Sequence, residues 1–337
     1  MKAAVIGAGP HGRRIIGVLR EMPGVELAAV VDRRPEAFEG VSLPEGTARY
    51  TSVDDLWARR DVEITCVATN GPSHALLASA AIAAGVRYLL VEKPMACSLA
   101  ECDQILTAAR ASQARVAVGH ARRYAPVYRW LRERITSGDW GRLRAIWIQR
   151  PDIGLGCNAT HSFDLATFLA DQPVRRVTGW VDDPIRKNPR GDDFRDPGGL
   201  VVMEMQDGVR AIVAQIEDGA GPTSMEIDLT RARVRLCERS GAIEVTEASY
   251  TAGRPRPTGF SESAIPAGLT AKPDMADMIR SCLTELISTE SLSSGPEHGR
   301  SAVEVLVATY LSHERGNCPV ELPLTAPDDL AKWLPVT

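Results

Sequence analysis

Five short apolar runs, at residues 3–6, 27–31, 64–67, 88–91 and 116–118, alternate with helix-like stretches through the first 120 residues. Such alternation predicts a parallel, doubly wound sheet with crossover helices. The most regular helical stretches are 74–84, which Gly85 would end, and 99–110. Ser98-Leu99-Ala100-Glu101 is a capping-box match that opens the second of these. Ser52, followed by Asp54 and Asp55, opens another helix with acids in its first turn.

After Val118 the pattern changes. One helix is expected at 127–135, with Gly138 past its end, and then a strand at 143–150. Beyond Val174 come period-two runs at 200–205, 209–216, 225–229 and 234–237, some separated by the turn formers Asp207-Gly208 and Ser240-Gly241. This predicts an open, mostly antiparallel sheet. Two late helices are expected at 274–287 and 297–313, the second capped by Gly316. The Pro-, Gly- and charge-rich stretches 182–199 and 252–272 read as long loops, which in a compact domain are more often functional than neutral.

At 337 residues the chain accommodates two domains, and 44% hydrophobic with 24% charged residues is ordinary for a globular protein. A net charge of −4 without a Lys/Arg block argues against nucleic-acid and membrane-surface partners. The seven cysteines, at 66, 97, 102, 157, 237, 282 and 318, are scattered without CxxC spacing, so neither a disulfide framework nor a zinc site is expected. His11, His74, His298 and His313 likewise lack the spacing of a metal site. Met1 to Ile6 reads as a strand rather than a signal peptide and no apolar stretch is long enough to span a bilayer, so a cytoplasmic location is expected. Asn158-Ala159-Thr160 is then a chance glycosylation match.

Gly7-Ala8-Gly9-Pro10-His11-Gly12 follows the first apolar run and opens a helix, where glycines let the backbone approach a pyrophosphate at a helix amino end. Asp32 ends the second run twenty residues after Gly12, in place to accept hydrogen bonds from a ribose 2′-hydroxyl. Together they predict dinucleotide binding. The acid disfavours a 2′-phosphate and so favours NAD, while Arg33 and Arg34 keep NADP open by offsetting that repulsion, unless they are only a solvated loop.

Glu92-Lys93-Pro94 closes the run at 88–91, so Lys93 is expected at the carboxyl edge of the parallel sheet, where open α/β folds bind ligands. Lysine is scarce here, five of the 39 Lys+Arg residues. Unlike Arg, it can exchange a proton near neutrality. A free lysine sits near ~10.4, and desolvation in a cleft would lower it toward working pH. Glu92 would act the other way if it faced the same space, but strand alternation turns it aside.

These motifs, together with Val67-Ala68-Thr69-Asn70 and the later His74, the stretch Val118-Gly119-His120-Ala121-Arg122-Arg123-Tyr124-Ala125-Pro126, His161-Ser162-Phe163-Asp164 and a closing helix pattern through 300–312, resemble the Gfo/Idh/MocA oxidoreductase family. The resemblance covers nearly the whole chain. It implies an α/β fold with an amino-terminal Rossmann domain, residues 1–121, and a carboxy-terminal α+β domain with an open sheet, residues 122–337, whose late helices pack back on the first domain or stay with the second. It also implies an NAD(P)-dependent enzyme that interconverts alcohol and ketone on a sugar, cyclitol or related polyol, as a homodimer or homotetramer formed through the open sheet. Gly7, Gly9, Pro10, His11, Gly12, Asp32, Arg33, Thr69, Asn70, His74, Glu92 and Lys93 would line the cofactor site.

In the family the Lys of the EKP motif moves the substrate proton, which maps onto Lys93, and the Lys-Pro bond is usually cis. The second family segment, D-x-G-x-H-x-x-D, corresponds here to Cys157-Asn158-Ala159-Thr160-His161-Ser162-Phe163-Asp164. His161 matches and would assist catalysis from the start of a helix at 162–169. Asp164 either orients the imidazole or caps the helix. Cys157 stands where the family has an acid, so either Asn158 takes over hydroxyl binding or the substrate differs there. Arg123 and Tyr124 would hold substrate, or else form a packed hinge. The rival reading is a catalytically inactive, cofactor-binding regulatory or sensor protein on the same fold.

Overall fold

The structure, a computed structural model, describes all residues except 152, 153, 186, 189, 290 and 337. Strands β1 (Lys2–Ile6), β2 (Glu26–Val31), β3 (Ala48–Tyr50), β4 (Ile64–Val67), β5 (Tyr88–Val91) and β6 (Arg115–Val118) form one sheet in the order β3-β2-β1-β4-β5-β6. Every pair is parallel. Helices α1 (Pro10–Glu21), α2 (Val53–Trp57), α3 (Gly71–Ala83) and α4 (Leu99–Ser112) fall between the strands. Ala3, Ala4, Val5, Val67, Leu89 and Val91 are fully buried, which is why the central strands are continuously apolar. The strand order reverses between β1 and β4, so the segments after these two strands flank the point where such sheets take ligands.

Local signals place the helix starts. Ser98 Oγ accepts from Glu101 N at 3.2 Å, but the Glu101 carboxylate reaches one residue further back, to Cys97 N at 2.9 Å, instead of closing the box on Ser98. Ser52 Oγ accepts from Asp54 N at 3.2 Å and caps α2. Helix α3 begins at Gly71, three residues before the expected 74, because Pro72 at the helix start presets a helical φ, and His74 therefore lies in its first turn.

The chain divides into two compact units: Met1–Tyr124 with Asp274–Val303 and Leu330–Thr337, and Ala125–Pro273 with Glu304–Asp329. The second opens with α5 (Pro126–Ser137), closed by Gly138 at φ +76, and contains α6 (Thr160–Ala170). Its nine strands are β7 (Leu143–Arg150), β8 (Val174–Val181), β9 (Gly199–Met205), β10 (Arg210–Gln215), β11 (Ser224–Leu229), β12 (Ala232–Cys237), β13 (Ala242–Ser249), β14 (Gly259–Glu262) and β15 (Val320–Glu321). They run β14-β13-β12-β11-β7-β10-β9-β8-β15. The pairing is antiparallel apart from β10 against β7, so the sheet is mixed and mostly antiparallel.

Ile146, Ile148, Val201, Met203, Val213 and Ile227 are buried, and along β7 Trp147 alternates outward at 49% exposure. The stretch read as a loop at 252–272 contains β14. Its residues Gly, Phe, Ser and Glu are mostly exposed and carry too little apolar pattern to announce a strand. Helix α7 (Met275–Ser288), capped by Asp274 through Ala276 N and Asp277 N, belongs to the first unit. Helix α8 (Pro296–Glu314) serves the first unit through Val303 and the second from Glu304. A last short helix is α9 (Pro327–Ala331). Among the described residues no helix is long and apolar enough to cross a membrane.

Candidate active site

The glycine loop leaves β1 with Gly7 at φ +102 and its N–H bonded to the Val31 carbonyl at 2.7 Å. A Cβ on Gly7 would lie 2.5 Å from the Ala68 carbonyl oxygen, and one on Gly12 would lie 1.9 Å from the Gly7 oxygen. Both glycines are required by close backbone approach. Gly9 differs: a Cβ there meets nothing within 4 Å, so its surroundings are open at the amino end of α1, with Pro10 at the helix start. Open space before a helix amino end suits the phosphates of a dinucleotide. Arg13 straps the loop from outside, donating to Ala8 O at 3.1 Å, Ala37 O at 3.1 Å and Glu39 O at 3.0 Å, a role without a sequence signal.

Asp32, 7% exposed, accepts from Ala8 N at 2.9 Å and from Arg34 N at 3.0 Å and Arg34 Nε at 3.2 Å. Burial opposes its ionisation, but the Arg34 guanidinium and the two backbone N–H groups outweigh this and hold the carboxyl below its ordinary range. Arg34 is therefore engaged with the acid it was expected to offset, and both Arg33 and Arg34 are exposed. The carboxylate retains acceptor capacity, having about four lone-pair positions.

Across the sheet, the His11 imidazole meets the Glu92 carboxylate, Nε2 to Oε1, at 2.8 Å. Glu92 is 7% exposed, and a Cβ on Gly119 would lie 2.4 Å from its Oε1, so that glycine makes room for the acid. Burial penalises the Glu92 charge, but His11 and then Lys93 and His74 favour it, and the carboxyl lies below its ordinary range. Its Oε2 also accepts from Lys93 N at 3.4 Å. Strand alternation predicts Glu92 turned away from Lys93; β5 ends at Val91, so alternation no longer governs residue 92 and the two charges act on each other.

Lys93 is half-buried and the Lys93–Pro94 bond is cis. His74, 1% exposed, contacts the Pro94 carbonyl through Nδ1 at 2.7 Å. It braces the Lys93 turn from within the core rather than facing an open surface. At the end of β4, Thr69 Oγ1 pairs with Ser73 Oγ at 2.7 Å, and Ser73 Oγ donates to Asn70 O at 2.8 Å, which orders the first turn of α3. Arg123 and Tyr124 are buried at 4% and 3% exposure. Arg123 Nη1 donates to Ser293 O at 2.8 Å and the Tyr124 hydroxyl to Glu285 Oε2 at 2.6 Å. These contacts lie inside the first unit.

In the second unit, helical backbone starts earlier than the expected 162. One π-helical turn, Leu155–Ala159, runs directly into α6, so Cys157 and Asn158 lie in the turn and His161 is the second residue of the helix. Asp164, 2% exposed, lies inside α6 beyond its first turn and not at the helix start, where a capping side chain would stand. Cys157 Sγ accepts from Arg190 Nη1 at 3.5 Å. The N–H groups of Gly156 and Cys157 donate to Asp196 Oδ1 and Oδ2, both at 2.7 Å. Asp196 escapes sequence reasoning because it lies some forty residues away in a loop with no local motif. Among the described residues no group of three or more His, Cys, Asp or Glu is placed to hold a metal.

A doubly wound parallel sheet with a glycine loop after its first strand and an acid after its second is an arrangement suited to binding a dinucleotide. Residues 1–120 match the Gfo/Idh/MocA model, described as an oxidoreductase family with an NAD-binding Rossmann fold. The chain is 29% identical over 222 residues to an inositol 2-dehydrogenase of Leifsonia xyli subsp. xyli, and 30% identical over 222 residues to inositol 2-dehydrogenase 3 of Saccharopolyspora erythraea. Each alignment covers 62% of this chain and 64% of the relative, so the chain spans just under two thirds of the length of these relatives. Among solved structures it is similar to GenD2 from gentamicin A biosynthesis in complex with NAD, with a TM-score of 0.78 at 22% identity, covering 96% of this chain and 97% of that one. At that identity the likeness concerns the fold.

Proposed function

We propose that the protein is an NAD-dependent oxidoreductase that interconverts an alcohol and a ketone on a polyol of the sugar or cyclitol class. The observation that carries this reading is Lys93, held at the carboxyl end of β5 beside the Glu92 carboxylate, in a unit whose Gly7, Gly9, Gly12 and Asp32 fit a dinucleotide. The relatives named as inositol 2-dehydrogenases support the substrate class.

Bound NAD would supply a hydride acceptor in oxidation and its reduced form a donor in the reverse direction. The amino end of α1 and the open face of Gly9 would take the pyrophosphate, and Asp32 the adenosine ribose hydroxyls. Lys93 takes the proton from the substrate hydroxyl in oxidation and returns it to the carbonyl oxygen in reduction, work that the fixed charge of Arg cannot do. The assisting residue in this reading is His161. Glu92 and His11 fix the electrostatics around the Lys93 turn, and His74 fixes its backbone.

Assembly into a homodimer or homotetramer through the outward face of the nine-stranded sheet accompanies this reading, supported by the exposed Trp147, Trp180 and Leu200 on that face. The test of the activity is to follow cofactor absorbance with NAD and NADP across inositols, sugars and amino sugars. Turnover of a polyol with NAD is expected. Cofactor binding without turnover on any of them would overturn the reading in favour of a sensor.

A further inference from the structure

We propose that Asp196 is a positioning residue for His161, acting through the turn that precedes it; this rests on the catalytic role given to His161 above. The first N–H groups of a helical segment have no acceptor within it. Here Leu155 N donates to Pro197 O at 2.9 Å, Gly156 N and Cys157 N to the two oxygens of Asp196 at 2.7 Å, and Asn158 N and Ala159 N to Gly154 O at 2.9 and 3.1 Å. Five consecutive N–H groups are thus satisfied, three of them from residues 196 and 197. The capping residue, Gly154, offers no side chain of its own and has φ +98.

A Cβ on Gly154 would lie 2.4 Å from Asp196 Oδ2, so the chain is shaped around this carboxylate. Asp196 is 8% exposed, and a buried anion at the positive end of a helical run makes charge-assisted bonds about twice as strong as neutral ones. The same loop also holds the Cys157 side chain, through Arg190 Nη1 on its thiol. Thr160 Oγ1 donates to Gly156 O at 2.7 Å and locks the turn to α6. His161 follows Cys157 by four residues, so the setting of the turn fixes the direction of the imidazole. A turn relaxed from π to α spacing would rotate His161 by roughly 100°, the step of one residue.

The test is Asp196→Asn, which keeps the shape but removes the charge and replaces one acceptor oxygen by a donor. On the best polyol, kcat is expected to fall by roughly 10- to 100-fold, as for a misplaced catalytic group, while the KM for NAD stays within about two-fold. In a His161→Ala background the same change should cost less than about two-fold, because a residue acting through His161 has nothing left to position. Equal losses in both backgrounds would overturn the inference, and so would an unchanged kcat in an active enzyme. A wild type inactive on the whole panel would instead remove the role of His161 and the inference with it. If Asp196→Asn does not fold, Asp196→Glu, which keeps the charge, carries the same two-background comparison with the same deciding outcomes.

Discussion

His74 Nδ1 lies 2.7 Å from the carbonyl oxygen of Pro94, so the helix after β4 holds the turn that follows β5. Nδ1 donates to the carbonyl, and burial holds the imidazole neutral, below its ordinary pKa of 6.5. As pH falls through 6.5 the unfolded chain takes up a proton that the folded one refuses, so His74 costs stability progressively below that pH and nothing well above it. The denaturation midpoint should drop as pH is lowered from neutrality toward the onset of carboxyl titration. In His74→Asn, which can still donate to Pro94 without titrating, that drop should be smaller, and an identical pH profile would show that His74 is not its source.

Gly9 and Gly12 should separate binding from folding. Gly12→Ala forces a Cβ to within 1.9 Å of the Gly7 oxygen, and overpacking of this kind costs about 1–3 kcal/mol, read as a lowered denaturation midpoint. Gly9→Ala meets no atom within 4 Å and should leave the midpoint of the free protein nearly unchanged, while weakening NAD binding because the methyl stands where the pyrophosphate approaches. Equal cofactor affinity in Gly9→Ala and wild type would move the phosphates away from this loop.

Asp32 is expected to set the cofactor preference. Its carboxylate, held ionised by Arg34 and Ala8 N, should make NADH bind more tightly than NADPH. Asp32→Ala removes hydrogen bonds to a charged group, worth about 1.5–3 kcal/mol, and should weaken NADH by roughly 10- to 100-fold while narrowing the gap to NADPH. Titration of both cofactors by fluorescence decides it. Tighter NADPH binding by wild type would mean that Arg33 and Arg34 govern the pocket.

The parts of this protein legible in its sequence are those fixed by local physics. The alternation of apolar runs, the glycines after β1, Asp32 at the end of β2 and Lys93 after β5 depend on strand burial and turn geometry within a few residues. The start of the turn before His161 is not legible because the carboxylate that accepts from its N–H groups is that of Asp196, remote in sequence, where no propensity operates. The contact of Glu92 with His11 is hidden for the same reason, since residues 11 and 92 meet only once β1 and β5 are in one sheet. Arg123 and Tyr124 carry two readings because only α7 and the segment after it, which supply Glu285 and Ser293, show that both are buried.

Lys93 is proposed to move the substrate proton. The direct measurement compares wild type with Lys93→Met for turnover of the best polyol and for NADH affinity. Turnover is expected to fall by roughly 10²–10⁴-fold, as for a lost general acid/base, with the NADH dissociation constant nearly unchanged. Turnover in Lys93→Met close to that of wild type would contradict it.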